Sequence, residues 1–227
     1  MISEHLERSV TQTEDGSVTL FIPELEEHYH SIHGALQESK HVFIDAGLRC
    51  ITKSDIHVLE AGFGTGLNVL LAFFESKRLG IKMNFITIEK YPLIEEEFSL
   101  LNYGPLVDEE DGEEVLQQLH HAPWGESVPI SDHFTLTKYH VDMHDMKWSD
   151  LPSIDLVFYD AFAPDKQPDL WSDEMFAHVV RAMGSSAILT TYCAKGVVRR
   201  SLQAAGLLME RIPGPPGKRE MLRGVKR

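Results

Sequence analysis

Cysteine is scarce in this chain. The only two, Cys50 and Cys193, cannot build a disulfide framework, which points to a reduced, cytoplasmic protein. Long apolar runs are missing too: no stretch approaches the roughly 18 consecutive apolar residues of a membrane helix, so no membrane partner is expected. The opening "MISEHLERSV" lacks the basic-then-apolar pattern of a secretion signal. There is no internal repeat and no low-complexity stretch, which excludes solenoids and disordered linkers. What is there, 43% hydrophobic and 25% charged residues over 227 positions, is the composition of one larger domain, or one domain with an appendage.

Positive charge is also in short supply overall, with a formal net charge of −14, a balance that argues against a nucleic-acid partner. Its distribution reverses the argument. From Lys195 onward nine basic residues face two acids, Glu210 and Glu220, so the last 33 residues carry +7 and the rest carries −21. Such asymmetry fits either a surface for a polyanion or a solvated helix face with a basic tail.

The first fifty residues differ from the remainder. "VTQTEDGSVTLFIPE" places two β-prone runs around Asp15-Gly16, a hairpin signal. "LEEHYHSIHGALQESKHVFIDAGL" follows, its apolar residues Leu36, Val42, Phe43, Ala46 and Leu48 loosely fitting a helix. Residues 1–50 therefore read as an extension or lid, and 51–227 as the main domain. From His57 seven strand-like runs succeed one another: "IHVLEAG", "NFITIEK", "FTLTKYHVD", "IDLVFYD", "SAILTTYC", "LLMERI" and "REMLRGV". Helix-like segments lie at Leu67–Arg78, Leu93–Leu101, Glu113–His120, Asp173–Ala182 and Gly196–Ala205. This alternation predicts an α/β fold with a seven-stranded, mostly parallel sheet. The last two runs are joined only by "PGPPGK", too short for a helical crossover, so they should end the sheet as an antiparallel hairpin. Asn102–Pro129 yields no assignment.

"VLEAGFGTGLN" ends the first of these strands in Glu60 and runs through Gly62, Gly64, Thr65 and Gly66 into a helix beginning near Asn68. Glycines allow a tight turn and close approach of backbone to ligand, and the helix start offers free N–H groups. The spacing is G-x-G-x-G and not the G-x-G-x-x-G of the dinucleotide fingerprint, which favours S-adenosyl-L-methionine over NAD. Glu89, with Lys90 after it, closes the second strand, where a carboxylate can accept both ribose hydroxyl protons. Asp142 follows the third strand, near where an adenine amino group would lie. Acids in these places also commonly cap loops. Asp160 ends the fourth strand beside the same crevice, and Pro164 and Pro168 then prevent a regular helix.

"GFGTGLN", "DAFAPDKQPDLW", "YCAKGVVRRSLQAAG" and "GKREMLRG" together resemble the tRNA 5-methylaminomethyl-2-thiouridine methyltransferase family, of the MnmC and MnmD type. The family pattern D-G-F-A-P-x-K-N-P-x-M-W is met with Ala161 for the glycine, Gln167 for the asparagine and Leu170 for the methionine. In F-x-x-A-G-x-V-R-R-x-L-x-x-A-G, Tyr192-Cys193 precede Ala194. The likeness runs from Glu27 to Arg223. "YHSIHGALQESKHVFIDAGL" also looks like the family's tyrosine-containing segment ahead of its core.

The resemblance implies a Rossmann-like class I methyltransferase that moves the methyl group of S-adenosyl-L-methionine onto the primary amine of 5-aminomethyl(-2-thio)uridine at the tRNA wobble position. S-adenosyl-L-homocysteine is the by-product. It implies tRNA as partner and no FAD; it leaves open whether a separate oxidase supplies the aminomethyl substrate, and the oligomeric state. Asp160 is the expected catalytic carboxylate, orienting the amine and assisting proton loss. Phe162 and Pro164 are expected to flank the uracil ring, although Phe162 equally suits a core position. Tyr29, with His30 and His33, is expected at the substrate entrance, and Lys166, Lys195, Arg199, Arg200, Lys218 and Arg219 are expected on phosphates.

Two clusters, His28, His30 and His33, and His140, Asp142, His144 and Asp145, have metal-like spacing without a ligand pattern, and no metal is expected. Cys193 reads as a small buried hydrophobe. Three other readings stay open: methyl or aminopropyl transfer to a small amine, a noncatalytic tRNA-binding protein, and, weakest, an NAD-linked oxidoreductase.

Overall fold

Alternation of apolar residues decides which way each strand faces, and in this computed structural model it builds a sheet covered on both sides. Residues 6–107 and 109–227 are described. The first five residues of the expected 1–50 extension, and residue 108 within the unassigned Asn102–Pro129, lie outside the described residues.

The extension begins as the expected hairpin, β1 (Ser9–Gln12) and β2 (Val18–Ile22), paired antiparallel across Asp15-Gly16 and joined by a third short strand, β3 (Glu27–His28). The hairpin turn is tied by Asp15, whose carboxylate accepts from Thr13, Ser17 and the Gln37 backbone. Helix α1 (Ala35–Ser39) continues into a π-helical turn at Lys40–Asp45 and a 3-10 turn at Leu48–Cys50. Val42, Phe43, Ile44 and Leu48 are buried in the same core as the main sheet.

The main unit then runs β4 (Asp55–Ala61), α2 (Leu67–Leu79), β5 (Lys82–Glu89), α3 (Glu95–Phe98), α4 (Tyr103–Leu106), α5 (Gly112–His121), β6 (Ser127–Ser131), β7 (Phe134–His140), β8 (Ile154–Tyr159), α6 (Asp173–Ala182), β9 (Met183–Thr191), α7 (Gly196–Ala204), β10 (Leu207–Pro213) and β11 (Glu220–Lys226). All seven expected runs are strands. The sheet has an eighth, β6, and its order is β10-β11-β9-β8-β4-β5-β7-β6. β6 escaped the sequence reading because it contains Pro129 and a register shift before Ser131; an edge strand tolerates a missing donor. The central five strands are parallel, and β11 pairs antiparallel with both β9 and β10, as the short "PGPPGK" link requires.

Ile56 and Val58 of β4, Phe85 of β5 and Phe158 of β8 face α2 and the extension. Leu59, Ile86, Val157 and Tyr159 face α6 and α7 with Phe176, Val179 and Leu202. The helix expected over Leu93–Leu101 shrinks to α3. Asn102 is spent elsewhere, accepting from the Val18 backbone and donating to Gly16 O, so it fastens the hairpin to the main unit. The chain leaves β4 toward β5 on one side and returns to β8 on the other. Ligands of open α/β sheets bind at such a switch point, beyond the carboxyl ends of the strands.

Candidate active site

Gly62, Gly64 and Gly66 all adopt positive φ (96°, 50° and 74°), so the loop after β4 follows a path that other residues take only under strain. Space is short as well: a Cβ on Gly64 would lie 3.0 Å from the Tyr29 ring, and one on Gly66 would meet His120 and Phe63. The loop is braced from behind. His30 Nε2 bonds Thr65 Oγ1 at 2.7 Å, His120 Nε2 bonds Thr65 O at 3.1 Å, and the buried Lys138 ammonium donates to Leu119 O and His120 O above the Phe63 and Trp124 rings. Burial holds all three side chains toward their neutral forms, His30 at about 4, His120 at about 3 and Lys138 at about 8.

In front of the loop opens a cavity of about 400 Å³. Gly62, Gly64, Thr65, Asn68, Glu89, Lys90, Asp142 and Asp160 line it, bringing together four successive strand ends as expected from sequence. Glu89 accepts from the Gly64 N–H at 2.9 Å with one oxygen and from the Tyr91 N–H at 2.8 Å with the other, which leaves lone pairs for a diol. Asp142 accepts from Lys90 Nζ (2.7 Å) and from the backbone and ring of His144. Partial burial opposes its ionisation, but these donors outweigh it and bring its pKa to about 2. Glu60 and Gly66, expected at the cofactor, do not line this cavity. Gly66 is the left-handed cap of α2, and Glu60 is wholly buried behind the loop.

A second cavity of about 400 Å³ adjoins the first. The two share Tyr29, His30, Asp160, Ala161 and Phe162, so Asp160 stands at the boundary between them. Asp160 Oδ2 accepts from Asn68 Nδ2 at 2.8 Å. Burial raises its pKa to about 7, against the pull of that hydrogen bond and of Lys218 and with the push of Glu38. Phe162 is half-buried, edge-on to Tyr29 at 5.0 Å, and forms a wall of both cavities instead of core. Pro164 lines neither.

The "DAFAPDKQPDLW" loop holds its shape through its own residues. Gln167 Oε1 accepts from the Phe162 N–H, Trp171 Nε1 donates to Phe162 O, and Tyr192 O–H donates to Ala161 O. These side chains explain why a strand ending in an aspartate is followed by prolines and aromatics: the carboxylate needs a stiff mount.

Of the expected phosphate contacts, Lys166 lines the first cavity, pairing loosely with Glu26. Lys218 lines the second, in an ion pair with Glu38 (2.5 Å) and over the Tyr192 ring (4.0 Å). Lys195 pairs with Asp165. Arg199, Arg200 and Arg219 line neither cavity; Arg200 and Arg219 are exposed, while Arg199 buries its Nε. The histidine clusters have other partners, and among the described residues no group of three or more His, Cys, Asp or Glu is arranged to hold a metal. Cys193 is buried, and burial lifts its thiol pKa.

Sequence reasoning missed Arg8, Glu38 and Tyr192. Arg8, almost fully buried, donates to Tyr29 Oη, to both Glu97 oxygens and to Tyr91 O, clamping the extension over the cavity. No local pattern marks any of the three, because their partners are remote in sequence.

A family model described as S-adenosyl-L-methionine-dependent methyltransferase matches residues 111–227. The chain belongs to that family. Among curated proteins, the methyltransferase is 35% identical over 208 residues to the tRNA 5-methylaminomethyl-2-thiouridine biosynthesis bifunctional protein MnmC of Pseudomonas syringae pv. syringae (strain B728a), covering 87% of this chain and 31% of that protein. It is 34% identical over 222 residues to the MnmC of Pseudomonas aeruginosa (strain PAO1), covering 87% and 32%. The chain thus spans about a third of the length of the curated relatives it matches. Among solved structures, MNMC2 from Aquifex aeolicus superposes with a TM-score of 0.82 at 24% identity, covering 99% of this chain and 72% of that one, and shows the same fold. The glycine cradle with Glu89 and Asp142 fits the methyl donor that the family uses.

Proposed function

We propose that this methyltransferase methylates the primary amine of 5-aminomethyl(-2-thio)uridine at the wobble position of tRNA. One observation carries the reading: two cavities of equal volume meet at Asp160, so a donor chamber and an acceptor chamber share one carboxylate. The names of the MnmC relatives supply the substrate class.

S-adenosyl-L-methionine, when bound, supplies an electrophilic methyl group on its sulfonium. In this reading the glycine loop, Thr65 and Asn68 receive its amino-acid portion, Glu89 its ribose hydroxyls, and Asp142 with Lys90 its adenine side. The second cavity takes the base, with Phe162 and Tyr29 against the ring and Lys218 on its polar edge. An amine attacks only when neutral, and an alkylammonium is mostly protonated near pH 7. Asp160 orients the amine and receives its proton, at a pKa close to working pH. Arg200 and Arg219, outside the cavities, remain for phosphates. An oxidase that unmasks the amine is the upstream partner this reading requires, and the cytoplasm, where tRNA is modified, is its setting.

The test is incubation with labelled S-adenosyl-L-methionine and tRNA from a strain lacking the modification, followed by identification of the labelled nucleoside. Label in 5-methylaminomethyl(-2-thio)uridine is expected, with a rate that rises with pH through about 7 as Asp160 ionises. Asp160→Ala should lower that rate by about 10²- to 10⁴-fold. Tight cofactor binding with label only in a free small amine would sink the proposal.

A further inference from the structure

Behind the glycine loop two buried oxygens are left without a donor. Glu60 Oε2 accepts from Thr87 Oγ1 at 2.7 Å, and Asn68 Nδ2 is committed to Asp160 Oδ2 at 2.8 Å. The Glu60 and Asn68 side chains lie within range to influence each other, and Glu60 Oε1 and Asn68 Oδ1 are both buried and unpartnered. A carboxylate and an amide oxygen cannot satisfy each other, since both only accept. A single proton on Glu60 resolves both atoms.

We propose that Glu60 is a neutral carboxylic acid that donates its proton to Asn68 Oδ1, so that Asn68 presents its N–H group to Asp160 and Glu60 acts as a positioning residue for the proton acceptor. The proposal rests on the role given to Asp160 above. It replaces the expectation that Glu60 touches the cofactor, which its complete burial already opposes.

The surroundings favour the neutral form. Burial is the main cause that raises the Glu60 pKa, and the charges of Asp160 beyond β8 and Glu89 at the end of β5 add to it, against the bond from Thr87 and the nearness of the Asn68 amide. Asp160 in turn faces Glu38 and Lys218, and Tyr192 lies within its field. The orientation of one amide has a chemical consequence. Turned over, Asn68 would set Oδ1 against Asp160 Oδ2, and the proton would have to sit on Asp160. That carboxyl could then no longer take a proton from an ammonium. With the proton on Glu60, Asp160 stays an open acceptor held by one N–H bond.

The test uses the full chain with Glu60→Gln, which keeps a donor and removes the acid, beside Glu60→Ala, which removes both. Cofactor affinity is measured by calorimetry, kcat and KM across pH on tRNA that carries 5-aminomethyl(-2-thio)uridine, and the protonated-carboxyl C=O band by infrared spectroscopy at neutral pH. Glu60→Gln is expected to lose the band while keeping cofactor affinity and kcat within about threefold, with the acid limb of the pH profile unmoved. Glu60→Ala is expected to lose more than about tenfold in kcat, with that limb displaced. Equal impairment of both variants, or no band that Glu60→Gln removes, overturns the proposal. If the wild-type protein leaves tRNA unlabelled, the substrate reading fails, while the infrared band and the cofactor affinity of Glu60→Gln still decide where the proton sits.

Discussion

The two cavities that meet at Asp160 are built in different ways. The polar floor of the first is assembled from neighbouring strand ends, each delivering a residue where a parallel sheet puts it, the glycine loop after β4, Glu89 at the end of β5, Asp142 after β7 and Asp160 after β8, with Tyr29 and His30 of the extension beside them. The second draws on Glu27, His28 and Glu38 from the extension, Tyr192 beyond β9, and Lys218 in the β10–β11 turn. Its central ion pair, Glu38 with Lys218, joins residues 180 positions apart. A site made from sheet periodicity is generic to a fold. One made from remote appendages belongs to a particular acceptor.

The largest effect that would separate the cavities is expected from Glu89→Ala. Losing two backbone partners and the proposed diol acceptor should weaken S-adenosyl-L-methionine binding by about 100-fold, roughly 3 kcal/mol, with the KM for tRNA nearly unchanged; calorimetry and steady-state kinetics read the two apart. Equal damage to both would mean that the cavities are one site. The mirror experiment removes both charges of the central ion pair of the second cavity at once, Glu38→Gln with Lys218→Met, so that neither partner is left unpaired. It should raise the KM for tRNA about tenfold and leave cofactor affinity alone.

A smaller effect concerns the boundary itself. The folded-state pKa of Asp160, about 7, lies above its ordinary value of 3.8, so the folded protein holds that proton where the unfolded chain has released it. Its contribution to stability is fully present below pH 3.8 and is lost as pH rises through about 7. Asp160→Asn should therefore raise the melting temperature by several degrees at pH 8 and by almost nothing at pH 3. A gain equal at both pH values would show that ionisation of Asp160 is not the cause.

The same contrast explains what the sequence disclosed. Seven strands, the terminal hairpin and the polar residues of the first cavity were legible because apolar β-prone runs, the residues that end them and loop length are local signals. β6 was hidden by Pro129 in an edge position, and the helix expected over Leu93–Leu101 is confined to α3 by its caps at Ile94 and Ser99. Glu60 was read as a ligand from its place in the glycine motif, yet nothing local reveals that it lies behind the loop. Arg8, Glu38 and Tyr192 acquire meaning only when distant segments meet. The aromatic and amide residues after Asp160 were visible as a string, while their work as a mount for the loop needed the hydrogen bonds.

The Glu38–Lys218 pair also orders events in time. The first cavity needs β4 beside β8, with Val58 opposite Leu156, whereas the Glu38–Lys218 pair joins residues 180 apart and needs the β10–β11 turn as well. During folding, then, the first cavity can be shaped before the second is complete. In the proposed reading, the place for the methyl donor is ready before the place for its acceptor.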